Sequence, residues 1–165
     1  DSAIQDLYPN HGKEHILERE LFVPSKVEDI FPFFTDPYNL EELTPAFLQF
    51  KVENSSDKIV KKGTKISYKL KLHGIPLRWL TTIEDLVADT MFIDNQTKGP
   101  YKRWHHTHSF VPLQHGTLLK DRVLYRLPFG WLGRLVAHFY ATKDVNKIFD
   151  FRTHFLKQKF YDYSK

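Results

Sequence analysis

Two histidines separated by one residue are the feature of the sequence best suited to chemistry. His106 and His108 alternate with Trp104 and Phe110 in Lys102–Val111, a segment with the period-two pattern of a β-strand. Side chains two residues apart on a strand point to the same face and lie about 7 Å apart. Because large aromatic rings share that face, we expect it to point inward, which would place two imidazoles in a mostly apolar space.

Three kinds of chemistry fit this histidine pair. A His-x-His strand can place two imidazoles on one metal ion, with Asp94 or Asp121 as the third ligand. Alternatively, one imidazole acts as a general acid or base that either of these carboxylates orients. In the third interpretation, which we favour, both are buried polar groups that shape a pocket or bind a ligand oxygen. Their partners would come from Asp94, Gln96, Asp121 and Tyr125, and no metal site is expected.

An aspartate that faces inward would extend this polar row. In the segment Thr117–Leu127, Asp121 shares a face with Leu119. A buried carboxylate is costly unless it is paired, and we expect its partner to be one of the two histidines or Arg78. The alternative is the opposite register, in which Asp121 lies in solvent. Asp94 likewise either faces inward with a partner or, in the opposite register, lies in solvent.

The first part of the chain predicts a strand followed by two short helices. His15–Pro24 alternates apolar and polar residues, as a strand does. Ser25 is placed as a helix N-cap, with Glu28 three residues later in the capping-box pattern. That helix is expected to end at Asp36-Pro37, before a second short helix over Asn39–Leu43.

The rest of the chain predicts an antiparallel sheet and then a long helix. From Leu132 to the C-terminus the apolar spacing is helical over about 30 residues, with a weak point at Thr142-Lys143-Asp144. Before it, six segments alternate apolar and polar residues, which is typical of a sheet with one covered face. They are Ala46–Glu53, Thr64–His73, Pro76–Glu84, Met91–Thr97, Lys102–Val111 and Thr117–Leu127.

The apolar stripe of such a helix must be covered, and the inner face of the sheet is the large apolar surface available. We predict an α+β fold in which a curved antiparallel sheet of about seven strands wraps around the long C-terminal helix. The two short helices after the first strand would close one end, leaving a space lined by aromatic side chains. The expected ligand-binding residues are Tyr68, Trp79, Asp94, Gln96, Trp104, His106, His108, Phe110, Asp121, Tyr125, Phe139 and Phe149.

The composition is that of a globular protein with a high aromatic content. The 165 residues include 14 Phe, 8 Tyr and 3 Trp, which either fill a core or line an apolar pocket. The absence of cysteine excludes disulfides, thiol catalysis and thiolate metal sites. The length predicts one domain over residues 15–165, preceded by a flexible arm over residues 1–14.

Charge and hydropathy narrow the range of partners. The 24 Lys and Arg exceed the 20 Asp and Glu by four, without a dense basic block, so no nucleic-acid partner is expected. A solvated surface is the favoured interpretation, and weak contact with an anionic membrane surface is the alternative. No apolar run approaches the roughly 20 residues that cross a bilayer, so no membrane span is expected. Without a signal-peptide pattern, we expect a cytoplasmic protein.

Four short motifs resemble the bacterial polyketide cyclase/dehydrase-like members of the START-like (SRPBCC) superfamily. They are Leu72-His73-Gly74-Ile75-Pro76-Leu77-Arg78-Trp79, Gly99-Pro100-Tyr101, Trp104-x-His106-x-His108-x-Phe110 and Leu127-Pro128-Phe129-Gly130. The resemblance extends over about residues 15–160 and implies the helix-grip fold. The superfamily includes both ligand carriers and enzymes, so the resemblance alone does not choose between them.

Binding of a small, largely apolar molecule is the function we favour from the sequence, with a lipid, a quinone or an aromatic polyketide-like compound as the ligand and no cofactor. The alternative, which the resemblance implies, is a cyclase or dehydratase that uses His106, His108 and Asp121 as proton shuttles in a pocket that excludes water. A third hypothesis is an interaction protein with a closed, fully packed interior.

Overall fold

Seven strands and one long helix form most of the chain in the computed structural model, which describes residues 14–127 and 142–161. Two 3₁₀ helices, Pro37–Leu40 and Ala46–Leu48, lie between the first and second strands. In chain order the other elements are β1 (His15–Val23), α1 (Val27–Thr35), β2 (Lys51–Ser55), β3 (Lys65–Leu72), β4 (Ile75–Val87), β5 (Met91–Lys98), β6 (Arg103–Leu113), β7 (Gly116–Arg126) and α2 (Thr142–Tyr161).

The seven strands form one antiparallel sheet in the order β1-β7-β6-β5-β4-β3-β2. Strands β2 to β7 are each paired with their neighbours in the chain, as hairpins require, and β1 adds to the free edge of β7. The sheet is curved, and its alternating side chains give one buried and one solvated face. The predicted α+β class and sheet of about seven strands are confirmed.

Helix α2 lies against the buried face of the sheet through an apolar stripe. Val145, Phe149 and Leu156 follow at helical spacing and are at most 3% exposed. At the sheet edge, the Arg19 guanidinium on β1 donates a 2.8 Å hydrogen bond to the Asn146 side chain on α2. The part of the predicted helix before residue 142, including Phe139, lies outside the described residues.

Two predictions about the short elements are wrong. The first helix begins at Val27, after Lys26, and its N-cap makes no side-chain hydrogen bond, so Ser25 is not the cap. The Ser25 carbonyl instead accepts a 2.8 Å hydrogen bond from the Thr117 hydroxyl at the start of β7, which holds the chain extended there. The second short helix is a 3₁₀ turn over Pro37–Leu40 and not Asn39–Leu43.

The predicted strand Ala46–Glu53 is also only partly correct. Its first part is the 3₁₀ helix Ala46–Leu48, which follows Pro45 and ends at Gln49 with a φ of 46°. A left-handed residue cannot continue a pleated strand, so β2 starts at Lys51. The burial of Leu48 against the interior accounts for this turn. No helix in the described part of the chain is long and apolar enough to cross a membrane.

Candidate ligand-binding site

A cavity of about 160 Å³ lies between the buried face of the sheet and the helices. Strands β3 to β6 form one wall and α1, the 3₁₀ helix Pro37–Leu40 and α2 form the other. Apolar atoms dominate its surface, as in most small-molecule sites. Side chains on its wall include Phe34, Ile66, Leu70, Ile83, Phe92 and Phe149.

Four aromatic rings in mutual contact form one wall of this cavity. The centroid of Trp79 lies 5.8 Å from that of Tyr68, 5.5 Å from Tyr101 and 5.3 Å from Trp104. Tyr101 and Trp104 are 4.9 Å apart. Rings at these distances pack edge-to-face or offset, which keeps them in fixed positions and presents a continuous apolar surface.

A cluster of buried titratable side chains occupies another part of the wall. The strand register places Asp94 directly opposite His106, and His108 directly opposite Asp121. The hydrogen bonds run diagonally instead: His106 Nε2 lies 2.8 Å from Asp121 Oδ1, and His108 Nε2 lies 2.6 Å from Asp94 Oδ2. The two imidazole centroids are 3.6 Å apart. Alternation along β6 places both histidines on one face, and the pairing of β6 with β5 and β7 brings a carboxylate to each side of them, so all four side chains form one network.

Helix α2 adds a buried cation to the cluster. The Arg152 guanidinium lies 3.3 Å from Asp121 Oδ2 through Nε, and its Nη2 is 3.3 Å from His108 Nδ1. Its carbon Cζ also lies 5.3 Å from the centroid of the Phe34 ring on α1, within cation–π range. Arg152 thus joins the helices to the polar part of the sheet.

Burial and pairing move the pKa values of the two histidines in opposite directions. Burial lowers the pKa of His106, and the neighbouring charge of His108 lowers it further. Burial opposes a charge on His108 as well, but hydrogen bonds to Asp121 and Asp94 outweigh it and raise the pKa of His108. At a given pH, His108 therefore holds a proton more readily than His106 does.

Both carboxylates are held ionised by these partners. Burial would raise the pKa of Asp121, but the Arg152 charge and the two imidazoles hold that pKa well below its usual range. The pKa of Asp94 is also lowered, against its burial, by the hydrogen bond from His108. The two carboxylates thus lie against the Arg152 guanidinium and the two imidazoles, which pairs groups of opposite charge within the cluster.

The cluster has the spacing of a metal site but already contains a cation of its own. One ligand atom each from Asp94, His106 and His108 lies within 4.8 Å of the others, a spacing that would fit a metal ion. However, the carboxylates already accept hydrogen bonds from the imidazoles, and the Arg152 guanidinium supplies the balancing positive charge. A bound cation would have to displace a proton and overcome that charge.

Most of the predicted ligand-binding residues in the described chain line the cavity. Tyr68, Trp79 and Trp104 belong to the aromatic wall, Asp94, His106 and His108 to the polar part, and Phe149 to the helix side. Asp121 faces inward, as expected, but lies behind the histidines and contacts them from the side of Arg152. Its partners are the histidines and not Arg78, which is exposed and pairs with Glu53.

Three of the predicted ligand-binding residues do not line the cavity but contact residues around it. Phe110 packs between Phe31 and Phe34, with centroids 5.0 and 5.3 Å away, and so fixes α1 on β6. Tyr125 is buried and stacks on His15 at 5.0 Å. Gln96 holds the turn before β6, because its side chain donates to the Tyr101 carbonyl at 2.6 Å and accepts from the Tyr101 amide at 3.2 Å.

Sequence reasoning missed three polar or aromatic residues of the site. Arg152 stands in the apolar stripe of α2, between Phe149 and Leu156, and a lone cation in such a stripe was the signal for a buried partner. Tyr101 belongs to the Gly99-Pro100-Tyr101 motif, whose sequence alone does not indicate that Tyr101 lines the cavity. Asp144, also in the wall, accepts a 2.7 Å hydrogen bond from the His73 imidazole at the β3–β4 turn.

Comparison with known proteins identifies the family of the chain. Residues 23–151 match the family model described as polyketide cyclase / dehydrase and lipid transport. No curated protein sequence matches the chain. A Thermus thermophilus protein of known structure is similar at 19% identity and a TM-score of 0.67, over 92% of this chain and 100% of that one.

Two further solved structures share the fold at low identity. The Zhui aromatase/cyclase from a Streptomyces species has a TM-score of 0.72 at 11% identity, over 93% of this chain and 97% of that one. A START superfamily protein from Mycobacterium smegmatis has a TM-score of 0.66 at 13% identity, over 91% and 99% of the two chains. The chain therefore has the START-like helix-grip fold and belongs to the polyketide cyclase/dehydrase and lipid transport family.

Proposed function

We propose that the protein binds a small, largely apolar molecule in the cavity between the sheet and α2, with a polar group of that molecule against the histidine cluster. The observation that carries this proposal is that one cavity combines an aromatic wall with a polar part formed by Asp94, His106, His108 and Arg152. A lipid, a quinone or an aromatic polyketide-like compound has both parts. The family and the solved neighbours support a ligand-binding fold of this type.

The size and chemistry of the cavity support this class of ligand. An apolar cavity of about 150 Å³ in another protein stays dry and binds benzene, so about 160 Å³ accommodates at least a small aromatic group. The packed rings of Tyr68, Trp79, Tyr101 and Trp104 offer a flat apolar surface. Hydrogen-bonding groups on Asp94, His106 and His108 would orient a carbonyl or hydroxyl oxygen.

Native mass spectrometry of protein purified from cells tests the proposal. We expect a mass excess over the chain, and denaturing extraction should release an apolar compound of the same mass. A defined probe, 2-acetylnaphthalene, should bind by calorimetry to protein freed of that compound. If no compound co-purifies from repeated preparations and the probe does not bind, the cavity is not a ligand site.

A second candidate function is a cyclase- or dehydratase-type enzyme. The observation that favours it is a pair of imidazoles 3.6 Å apart in the cavity wall whose pKa values move in opposite directions, which favours the neutral, basic form of His106 beside the protonated, acidic form of His108. In a dehydration, neutral His106 would take a proton from the carbon next to a carbonyl. His108 would give its proton to the leaving hydroxyl, so that water departs and a carbon–carbon double bond forms.

Proton exchange in heavy water tests this second function without knowledge of the substrate. The protein should accelerate deuterium incorporation into the methyl group of 2-acetylnaphthalene, followed by NMR. His106→Gln should remove most of that acceleration, by about 100-fold or more, because it removes the proposed base. Binding of the ketone by His106→Gln, measured separately, distinguishes lost chemistry from lost affinity. Equal exchange rates with and without the protein would contradict the enzyme hypothesis.

A further inference from the structure

The outer face of the sheet distributes its charges unevenly. Where β1 pairs with β7, the register sets opposite charges against each other, with Glu18 opposite Arg122 and Glu20 opposite Lys120. Both pairs form ion pairs, at 3.5 and 3.2 Å. This is the usual arrangement, since opposite charges across a strand pair stabilise a sheet.

The other end of the sheet shows the reverse pattern. Lys51 on β2 lies directly opposite Lys69 on β3, and Lys69 lies directly opposite Arg78 on β4. These three residues, the basic row, place like charges side by side across three strands, which is destabilising in isolation. Lys65 and Lys71 extend the same outward face of β3. Residues 51–78 contain eight Lys and Arg against two Asp and Glu, although the whole chain has an excess of only four.

The basic row is exposed and only weakly neutralised. The side chains of Lys51 and Arg78 are 67% and 86% exposed, and their acidic partners Glu41 and Glu53 stand at 3.6 and 3.9 Å. Within residues 14–127 and 142–161, Lys69 has no carboxylate at salt-bridge distance. Attraction to an anionic partner would therefore offset the repulsion within the row.

Apolar side chains are exposed beside the basic row. Ile75, at the tip of the β3–β4 hairpin, is 62% exposed, and Phe47, on a 3₁₀ helix that packs against β3, is 51% exposed. Lys71 is directly opposite Pro76 at this tip. An apolar tip next to lysines is the combination that inserts into the interface of an anionic bilayer.

We propose that the protein docks on anionic membrane surfaces through the β3–β4 hairpin, with Ile75 in the interface and the basic row against the lipid headgroups. The outward positions of β2 to β4, all within the described chain, carry no aromatic side chain on which a nucleic-acid base could stack. The inward side of the same hairpin carries Leu70, Leu72 and Trp79 of the cavity wall. Docking would thus bring the cavity next to the bilayer.

Vesicle co-sedimentation with the full chain tests the proposal. Vesicles of phosphatidylcholine with about 30% phosphatidylserine should bind the protein, and phosphatidylcholine vesicles should not; binding should weaken as salt rises. The double substitution Lys69→Gln with Lys71→Gln should lower the affinity roughly 25-fold, because each basic residue at an anionic bilayer contributes about fivefold. Ile75→Ser should weaken binding while leaving its dependence on salt in place.

The matched control is Lys120→Gln with Arg122→Gln, which removes the same charge from the balanced end of the sheet. This control should retain the affinity of the unmodified protein, and thermal unfolding should show that both double variants remain folded. An equal loss in both double variants would show a general effect of net charge and overturn the proposal. Equal binding to the two kinds of vesicle, no binding at low salt, or tighter binding to single-stranded RNA than to phosphatidylserine vesicles would also overturn it.

Discussion

His106 and His108 are the same residue type on the same face of the same strand, yet their pKa values move in opposite directions. Both imidazoles lie near both carboxylates, so the difference comes from the balance of their interactions. His108 gains hydrogen bonds to Asp121 and Asp94 that outweigh its burial, whereas burial and the charge of His108 outweigh the hydrogen bond of His106 to Asp121. At the scale of single residues, then, the side chains behind the cavity wall decide what chemistry the wall offers.

The titration of the two imidazoles is the first prediction. Nitrogen-detected NMR should show that His108 is still protonated when the pH is somewhat above the usual histidine pKa of about 6.5. His106 should already be neutral when the pH is somewhat below that value. Because the pKa of His108 is raised in the folded state, its stabilising contribution is complete below about pH 6.5 and is lost as pH rises through the folded pKa. The lowered pKa values of Asp94 and Asp121 give stability above about pH 4 that is lost on acidification.

A control and a contrary result are available for this titration. Asp121→Asn should move the pKa of His108 down, because it removes one of the two carboxylates that raise it. If both imidazoles of the unmodified protein instead titrate together near pH 6.5, the charge distribution assigned to the cluster is wrong.

Loss of the buried cation is the second prediction. Arg152→Met should lower the free energy of unfolding by about 3–5 kcal/mol, because Asp121 would stay buried without its guanidinium partner. Lys157→Met, an exposed position on the same helix, should change it by less than about 0.5 kcal/mol. Denaturant unfolding measures both. The penalty should shrink at low pH, where Asp121 can take up a proton; equal effects of the two substitutions would contradict the pairing.

At the scale of elements, sequence periodicity predicts which side chains share a face but not which elements contact each other. The face of β6 that carries Trp104, His106, His108 and Phe110 follows from alternation alone, and all four side chains are buried. The docking of α2 does not follow from it, since Arg152 reaches Asp121 over 31 residues of sequence. The predicted N-cap at Ser25 is wrong for a similar reason. The Ser25 carbonyl accepts a hydrogen bond from Thr117, which is distant in the sequence, and the helix begins later.

The turn before β6 provides the third prediction. A Cβ added to Gly99 would lie 2.5 Å from Gln96 Oε1, the atom that accepts the Tyr101 amide. Gly99→Ala should therefore displace Gln96, loosen Tyr101 in the aromatic wall and cost about 1–3 kcal/mol of unfolding free energy. In the background of Gln96→Ala the same substitution should cost much less, since the clashing atoms are gone. Additive effects of the two changes would contradict this explanation.

The contact between the β3–β4 turn and α2 provides the fourth prediction. His73 has a φ of 49° and directs its imidazole to Asp144, at 2.7 Å, across the end of the cavity. Asp144→Asn should raise amide hydrogen exchange in the first turn of α2 and in the hairpin by roughly tenfold, as expected for loss of a charge-assisted hydrogen bond. Exchange in β1 and β7 serves as the internal control. Unchanged protection around Asp144 would show that this contact does not hold the helix.

At the scale of the whole molecule, the two faces of one sheet carry different kinds of side chain. The inner face combines aromatic packing with a cluster of paired acidic and basic groups, whereas the outer face of β2 to β4 holds like charges in register. The aromatic content of the sequence fits either a filled core or a lined pocket. The cavity shows that the rings do both, since Phe110 packs α1 on the sheet while Trp79 and Trp104 line the open space.

The cavity as a whole provides the fifth prediction. Leu70 lines it from β3, and Leu70→Trp should occupy part of its volume of about 160 Å³ and obstruct the space beside the aromatic wall. We expect 2-acetylnaphthalene at about 100 times its dissociation constant to stabilise the unmodified protein by about 2.7 kcal/mol, and to leave the melting temperature of Leu70→Trp unchanged. The same substitution at Leu113, which is exposed near the far end of β6, should keep the ligand effect. A similar rise in melting temperature for Leu70→Trp would place the ligand elsewhere, and no rise in any variant would argue against binding of this class.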